Sequence, residues 1–200
     1  MDQQDQRAYL FAKVKDLIQD TQILEFVLLA LEQAPDYIWE INASTSGKHH
    51  HSETQTEHVL QALKLASHLE DIMSQSVMTF ITDQHISLLY AIVALHDLYK
   101  CGKPGQENLV DGQLRTDPQH PMYVAEMLKN LKVWDAGCRN FIKVSECDWW
   151  EDFARGVAGH SGPWSPIPFD SSSLQGFTNL TMLGFLCDYF ASRKDIHIEL

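Results

Sequence analysis

Apolar side chains recur along most of this chain at the three-to-four-residue spacing of helices, and nowhere in a long alternating run. Tyr9, Leu10, Ala12, Val14, Leu17 and Ile18 form a first stripe, and Leu24, Phe26, Val27, Leu29 and Leu31 a second, closed by Ala34-Pro35. From Glu57 the pattern predicts a helix with His58 in its first turn and Ala62, Leu65 and Leu69 on the same face. Leu88, Ile92 and Leu95, widened by Leu89 and Val93, predict a buried helix that carries His96-Asp97 at its end and is stopped by Gly102 and Pro104. Pro121 suits the first position of the next helix, with Val124, Met127, Leu128 and Leu131 as its buried side. Across Trp149–Gly159 another stripe runs from Phe153 through Val157 to His160. Ser171–Leu174 supplies start residues for a last helix, in which Gly184, Asp188 and Ala191 share a face. Gly and Ala around that carboxylate are expected to leave space for something to approach it. The expected fold is all-α, a single-domain helical bundle.

Six polar residues stand out against this background. A histidine and a carboxylate buried together are costly unless paired, hydrogen-bonded or bound to a metal, and His96-Asp97 follows a strongly apolar run. Lys100 lies four residues beyond His96, which in a continuing helix puts both on one side. His58, His120, His160 and Asp188 each fall on, or at the end of, a core-facing helix, whereas His68 and His85 read as surface residues. One such residue is ordinarily structural; six spread over five helices of one small chain point to a shared site. Imidazole and carboxylate together suit Mn, Fe, Co, Ni or Zn better than Ca or Mg, which prefer oxygen alone.

Composition narrows the partners. The chain has 200 residues, 44% of them hydrophobic, which is enough for one domain with a real core. A net charge of −12 argues against a basic face for long nucleic acid, but not against a small anionic substrate beside a metal ion. The polar start Met1-Asp2-Gln3-Gln4-Asp5 has no signal-peptide pattern, and runs such as Ile23–Leu31 are too short to span a membrane. Cys101, Cys138, Cys147 and Cys187 show no paired spacing, so reduced thiols in a cytoplasmic setting are expected. Residues 1–40 read as a helical cover, part of the same domain as residues 41–200, with no chemistry of their own and a surface suited to a lid or a homo-oligomer. The polar loop from Asn42 to His51 is open to two readings, a phosphate contact or a solvated turn, with Lys48 and His50 as its candidate ligands. Cys101–Gln119, rich in Gly, Pro and Asp, reads as a loop too polar for the core.

The order His58, His96-Asp97, His120, His160, Asp188 resembles the HD-domain superfamily of metal-dependent phosphohydrolases, and more closely the small HD-domain proteins of phage and bacterial genomes. The matching stretches are Ala43-Ser44-Thr45-Ser46-Gly47-Lys48-His49-His50, Glu57-His58-Val59 and Leu95-His96-Asp97-Leu98-Tyr99-Lys100. They continue with His120-Pro121, His160-Ser161-Gly162-Pro163-Trp164 and Cys187-Asp188-Tyr189-Phe190-Ala191-Ser192-Arg193-Lys194. The resemblance covers the chain from about residue 40 onward. It departs before the first histidine, where Ser52–Thr56 reads Ser-Glu-Thr-Gln-Thr in place of a Gly-Gly-Leu start.

What the resemblance implies is a helical bundle enclosing one or two divalent transition metals. His58, His96, Asp97 and Asp188 would hold the first, and Asp97 would bridge to a second on His120 and His160. The implied reaction is hydrolysis of a phosphoester, of a small nucleotide in the leading reading, with Asp97 and Lys100 as the catalytic pair. Lys100, with Lys48, would offset phosphate charge. Trp164 is open to two readings, a stacking surface for a nucleobase or a core anchor. Alternatives to the leading reading are a phosphodiesterase of cyclic or oligonucleotide signals, and a metal-binding protein without activity.

Overall fold

The computed structural model describes residues 3–44, 54–75, 82–166 and 179–193. The Lys48 and His50 readings and the Ser171–Leu174 helix start lie outside them. The described chain is mostly helical: α1 (Gln3–Leu17), α2 (Thr21–Glu32), α3 (Gln55–Gln75), α4 (Asp83–Leu95), α5 (His120–Leu128), α6 (Trp150–Gly159) and α7 (Asn179–Ala191).

Helix α4 is the axis of the bundle. Every residue from Ser87 to Leu95 is buried, as expected of a helix that is apolar all round, and α2, α3, α6 and α7 pack about it. Thr82 and His85 form a reciprocal capping box at its start, which gives the half-buried His85 a structural role. Ile92 fills the middle of the helix contacts. A Cβ on Gly156 of α6 would stand 2.2 Å from Ile92 Cδ1, and one on Gly184 of α7 would stand 3.0 Å from its Cγ2. Gly184 was expected to clear space beside Asp188; the space it leaves is taken by Ile92. Helices α1 and α2 contribute Leu10, Val14, Phe26, Val27 and Ala30 to the same continuous core.

Three short antiparallel hairpins interrupt the all-helical expectation. β1 (Gly102–Lys103) pairs with β2 (Gln106–Glu107), β3 (Leu109–Val110) with β4 (Gln113–Leu114), and β5 (Lys132–Asp135) with β6 (Asn140–Lys143). The first two occupy the stretch read as plain loop. Cys101 there is fully buried, and Gly102 turns the chain at φ 110°, where a Cβ would meet the Gln106 carbonyl oxygen at 2.6 Å. The third hairpin fastens to α2 through Trp134 N donating to Glu25 Oε2 at 2.8 Å, and leaves Trp134 and Phe141 exposed. On α5, Val124 and Leu128 are buried as expected, but Met127 is 38% exposed, and the helix ends at Leu128, before the half-buried Leu131. No helix among the described residues is long and apolar enough to cross a membrane.

Candidate metal centre

Four helices and one turn deliver the site. Helix α3 starts two residues before the expected Glu57, because Thr54 and Glu57 cap it reciprocally: Glu57 N donates to Thr54 Oγ1, and Thr54 N donates to Glu57 Oε2, each at 3.2 Å. Buried Gln6 of α1 accepts from Thr54 Oγ1 and donates to Glu57. His58, buried in the first turn, is held in place by this start. Helix α4 ends at Leu95, and His96 to Lys100 follow as tight turns, with Leu98 N bonded to Leu95 O and Lys100 N to Asp97 O. The helix therefore stops before the Gly102 and Pro104 expected to end it, and Lys100 Nζ comes to rest on Asp97 Oδ2, an oxygen that is also 3.5 Å from His96 Nε2. After the two hairpins, Asp117 N donates to the Lys100 carbonyl at 2.8 Å, so the chain returns to the site and α5 begins there with His120. His160 caps the end of α6, and Asp188 comes from α7.

These side chains converge. His58 Nε2 lies 2.9 Å from Asp188 Oδ1, and His96 Nε2 lies 3.6 Å from the same oxygen and 3.5 Å from Asp97 Oδ2. Asp97 Oδ1 meets His120 Nε2 at 2.9 Å and His160 Nε2 at 3.5 Å. Two triads, His58-His96-Asp188 and His96-Asp97-His160, each hold their ligand atoms within 4.8 Å of one another and share His96. All six residues are buried except Asp188, whose side chain is 24% exposed.

The orientation of three imidazoles is fixed by the backbone. Nδ1 of His96 bonds to Val93 O at 2.8 Å, Nδ1 of His120 to Asp117 O at 2.6 Å and Nδ1 of His160 to Val157 O at 2.6 Å. A carbonyl only accepts, so each Nδ1 carries a proton and each Nε2 faces inward, where it offers a lone pair once the ring is neutral. This is the arrangement that orients histidine ligands of metals. His120 Nε2 and His160 Nε2 face each other at 3.3 Å, and two lone pairs so close repel unless a proton or a cation lies between them. His96 Nε2 is buried with no hydrogen bond of normal geometry, its carboxylate neighbours standing 3.5 and 3.6 Å away. Such an atom is costly in a protein interior unless it binds something. The donor set and its orientation therefore fit a divalent transition metal.

Electrostatics agree. Burial disfavours the charged forms, but Asp97 and Asp188 override it at His96 and raise its pKa to about 10. Burial likewise opposes ionisation of Asp97, yet the Lys100 ammonium and His96 hold its carboxyl well below the usual range. His58 and His96 do the same for Asp188. Burial pushes the His160 imidazole down. In the metal-free protein a proton on His96 stands where positive charge is wanted, between two carboxylates.

Two further residues complete the surroundings, one of them missed by the sequence reading. Gln55, buried, donates from Nε2 to Asp97 Oδ2 at 3.0 Å and accepts from Lys100 Nζ at 2.9 Å. No sequence motif marks it; its only signal is a position one turn before His58 on the same helix face. Lys100 Nζ also pairs with Asp97 Oδ2 at 2.6 Å. A cavity of about 700 Å³ opens from the cluster and is lined by Lys100, Thr116 and Ser161, and farther out by Trp164, Tyr189 and Arg193. Trp164 is no core anchor: it is 71% exposed, its ring parallel to Tyr189 within 4° at 6.5 Å, and the Arg193 guanidinium lies 3.8 Å from the Tyr189 ring centre.

Comparison with curated proteins and with solved structures returns no match. The model of the HD domain family matches residues 56–191, a span that contains all six clustered histidines and aspartates, and the chain belongs to that family.

Proposed function

We propose that the protein is a metal-dependent phosphohydrolase that cleaves a phosphoester bond of a small nucleotide, using one or two divalent ions drawn from Mn, Fe, Co, Ni and Zn. The observation that carries this reading is the inward convergence of four imidazoles on two carboxylates at the floor of an open cavity. His58, His96 and Asp188 would hold one ion, and His120 and His160 with Asp97 a second. When bound, such ions supply Lewis acidity at a phosphoryl oxygen and bring the pKa of water from 15.7 towards about 7.

The rest is the work of the chain's own groups. Lys100 has three N–H donors and spends two on Asp97 and Gln55, which leaves one for a phosphoryl oxygen entering the cavity. Asp97, kept ionised by Lys100, balances the cationic floor. Trp164 presents an exposed aromatic face at the mouth for a nucleobase, and the Arg193 side chain adds positive charge to the same wall. In the reaction the phosphorus–oxygen bond to the leaving alcohol breaks, water supplies the new oxygen on phosphorus, and a proton from that water passes to the leaving oxygen. The volume of the cavity also admits a cyclic or linear oligonucleotide, which keeps phosphodiester hydrolysis as the second reading.

The test is phosphate release by the protein loaded separately with Mn, Fe, Co, Ni or Zn, on mononucleotides, nucleoside di- and triphosphates, and cyclic and linear dinucleotides. Turnover of at least one of these, with none on peptides, carboxylic esters or glycosides, is expected. Binding of metal without turnover of any phosphoester favours a silent metal-binding role and contradicts the proposal.

A further inference from the structure

The geometry points to Gln55 as the positioning residue of the metal centre, the group that fixes which oxygen of Asp97 faces the His120 and His160 side. This rests on reading the His/Asp cluster as a metal site. Gln55, Lys100 and Asp97 close a buried triangle, with Gln55 Nε2 to Asp97 Oδ2 at 3.0 Å, Lys100 Nζ to Gln55 Oε1 at 2.9 Å and Lys100 Nζ to Asp97 Oδ2 at 2.6 Å. The amide has only one workable orientation. An ammonium can only donate and a carboxylate can only accept, so reversing the amide would set oxygen against oxygen and N–H against N–H.

The consequence falls on Asp97. Its Oδ2 receives two donors, so rotation of the carboxylate is blocked and Oδ1 stays 2.9 Å from His120 Nε2. Gln55 is itself held firmly. It lies in the first turn of α3, behind the Thr54–Glu57 cap that Gln6 of α1 joins, and its backbone N–H bonds to Ile41 O at 2.9 Å. One turn of one helix thus carries both a candidate ligand, His58, and the clamp on the opposite carboxylate. The N-terminal helix, read from sequence as plain packing, supports that turn.

Calorimetric titration of the full chain with Mn²⁺ tests this, in wild type, Gln55→Met and Gln55→Asn. Met keeps the volume without the hydrogen bonds, whereas Asn stays polar but is a methylene too short to bridge. Both variants are expected to weaken Mn²⁺ binding at the more weakly held position by about tenfold or more, the range seen for groups that orient metal ligands, with circular dichroism unchanged. A purely structural glutamine would alter thermal stability and leave Mn²⁺ affinity alone, so folded variants with wild-type dissociation constants overturn the proposal. A measurement on the wild type needs no variant to fold: the side-chain amide resonance of Gln55 should shift on Zn²⁺ addition, and an unmoved resonance in the Zn²⁺-saturated protein overturns it equally. Failure of the wild type to bind either ion is a different result and sinks the metal-centre reading itself.

Discussion

The two carboxylates of the cluster are the same chemical group in different circumstances. Asp188 is partly exposed and, among the described residues, forms its ion pairs with His58 and His96, whereas Asp97 is buried and shares its Oδ2 with Lys100 and Gln55. Both of these partners of Asp188 are imidazoles, which can themselves ligate a cation. Asp97 has part of its charge neutralised already by the ammonium 2.6 Å away. The lesson is that one buried cluster can offer two unequal surroundings; under the proposed function, the His58-His96-Asp188 side is expected to bind a cation tighter and the Asp97-His120-His160 side weaker.

The severest way to break this contrast is to remove the residue common to both triads. His96→Ala should abolish tight metal binding on the His58-His96-Asp188 side and weaken the other, with a loss in Mn²⁺ affinity above about a hundredfold at the first, since it deletes a ligand there and not merely its support. Calorimetry reads this directly, and near-wild-type binding would separate His96 from the centre.

Next in size is the paired substitution of His120 and His160 by alanine. The weaker position should vanish and the tighter one survive, so saturating Mn²⁺ should fall from two ions per chain to one. A wild type that binds a single ion, unchanged by the double substitution, removes the two-position account.

Acidity sharpens the comparison further. His96 has a raised pKa in the metal-free protein, so a cation must displace its proton, and apparent affinity should rise by about tenfold per pH unit up to about pH 10. The stability of the metal-free protein follows the opposite course on the alkaline side. The His96 contribution is complete below about 6.5, the ordinary histidine value, and is lost as pH rises through about 10. The depressed Asp97 and Asp188 contribute above about pH 4 and lose that contribution as pH falls through their lowered values. Metal-free melting temperature should therefore peak between these limits, and a flat profile would argue against the charged cluster.

A change in the frame that leaves the ligands alone sets the scale for what is merely structural. Gly156→Ala drives a methyl into Ile92, in the turn of α4 just before His96, and should cost about 1–3 kcal/mol of stability with metal stoichiometry unchanged. Smallest of all is Trp164→Ala at the cavity mouth. It should raise KM for a nucleotide by about 1 kcal/mol of stacking while leaving kcat and metal content as they were.

How much of this was legible in the sequence follows from the range of each interaction. Core-facing stripes are local, so Phe153-Val157-His160 and the run to His96 could be read directly, and the histidines and aspartates at their ends came with them. The turn after Leu95 was not legible. A helix that tightens and one that continues share the same apolar spacing. The β5–β6 hairpin escaped because each strand has only four residues, too few for an alternating pattern to stand out. Gln55 escaped for a different reason. It sits in the stretch Ser52–Thr56 that departs from the resembled Gly-Gly-Leu start, and the departure marked a difference without revealing that its amide would reach across to α4.

Elemental analysis of purified wild-type protein beside His96→Ala, after incubation with Mn²⁺ and removal of free ion, tests the central claim most directly. The account predicts at least one transition-metal ion retained per wild-type chain and none on the variant. A wild type that retains no metal, or a variant that retains as much, would contradict it.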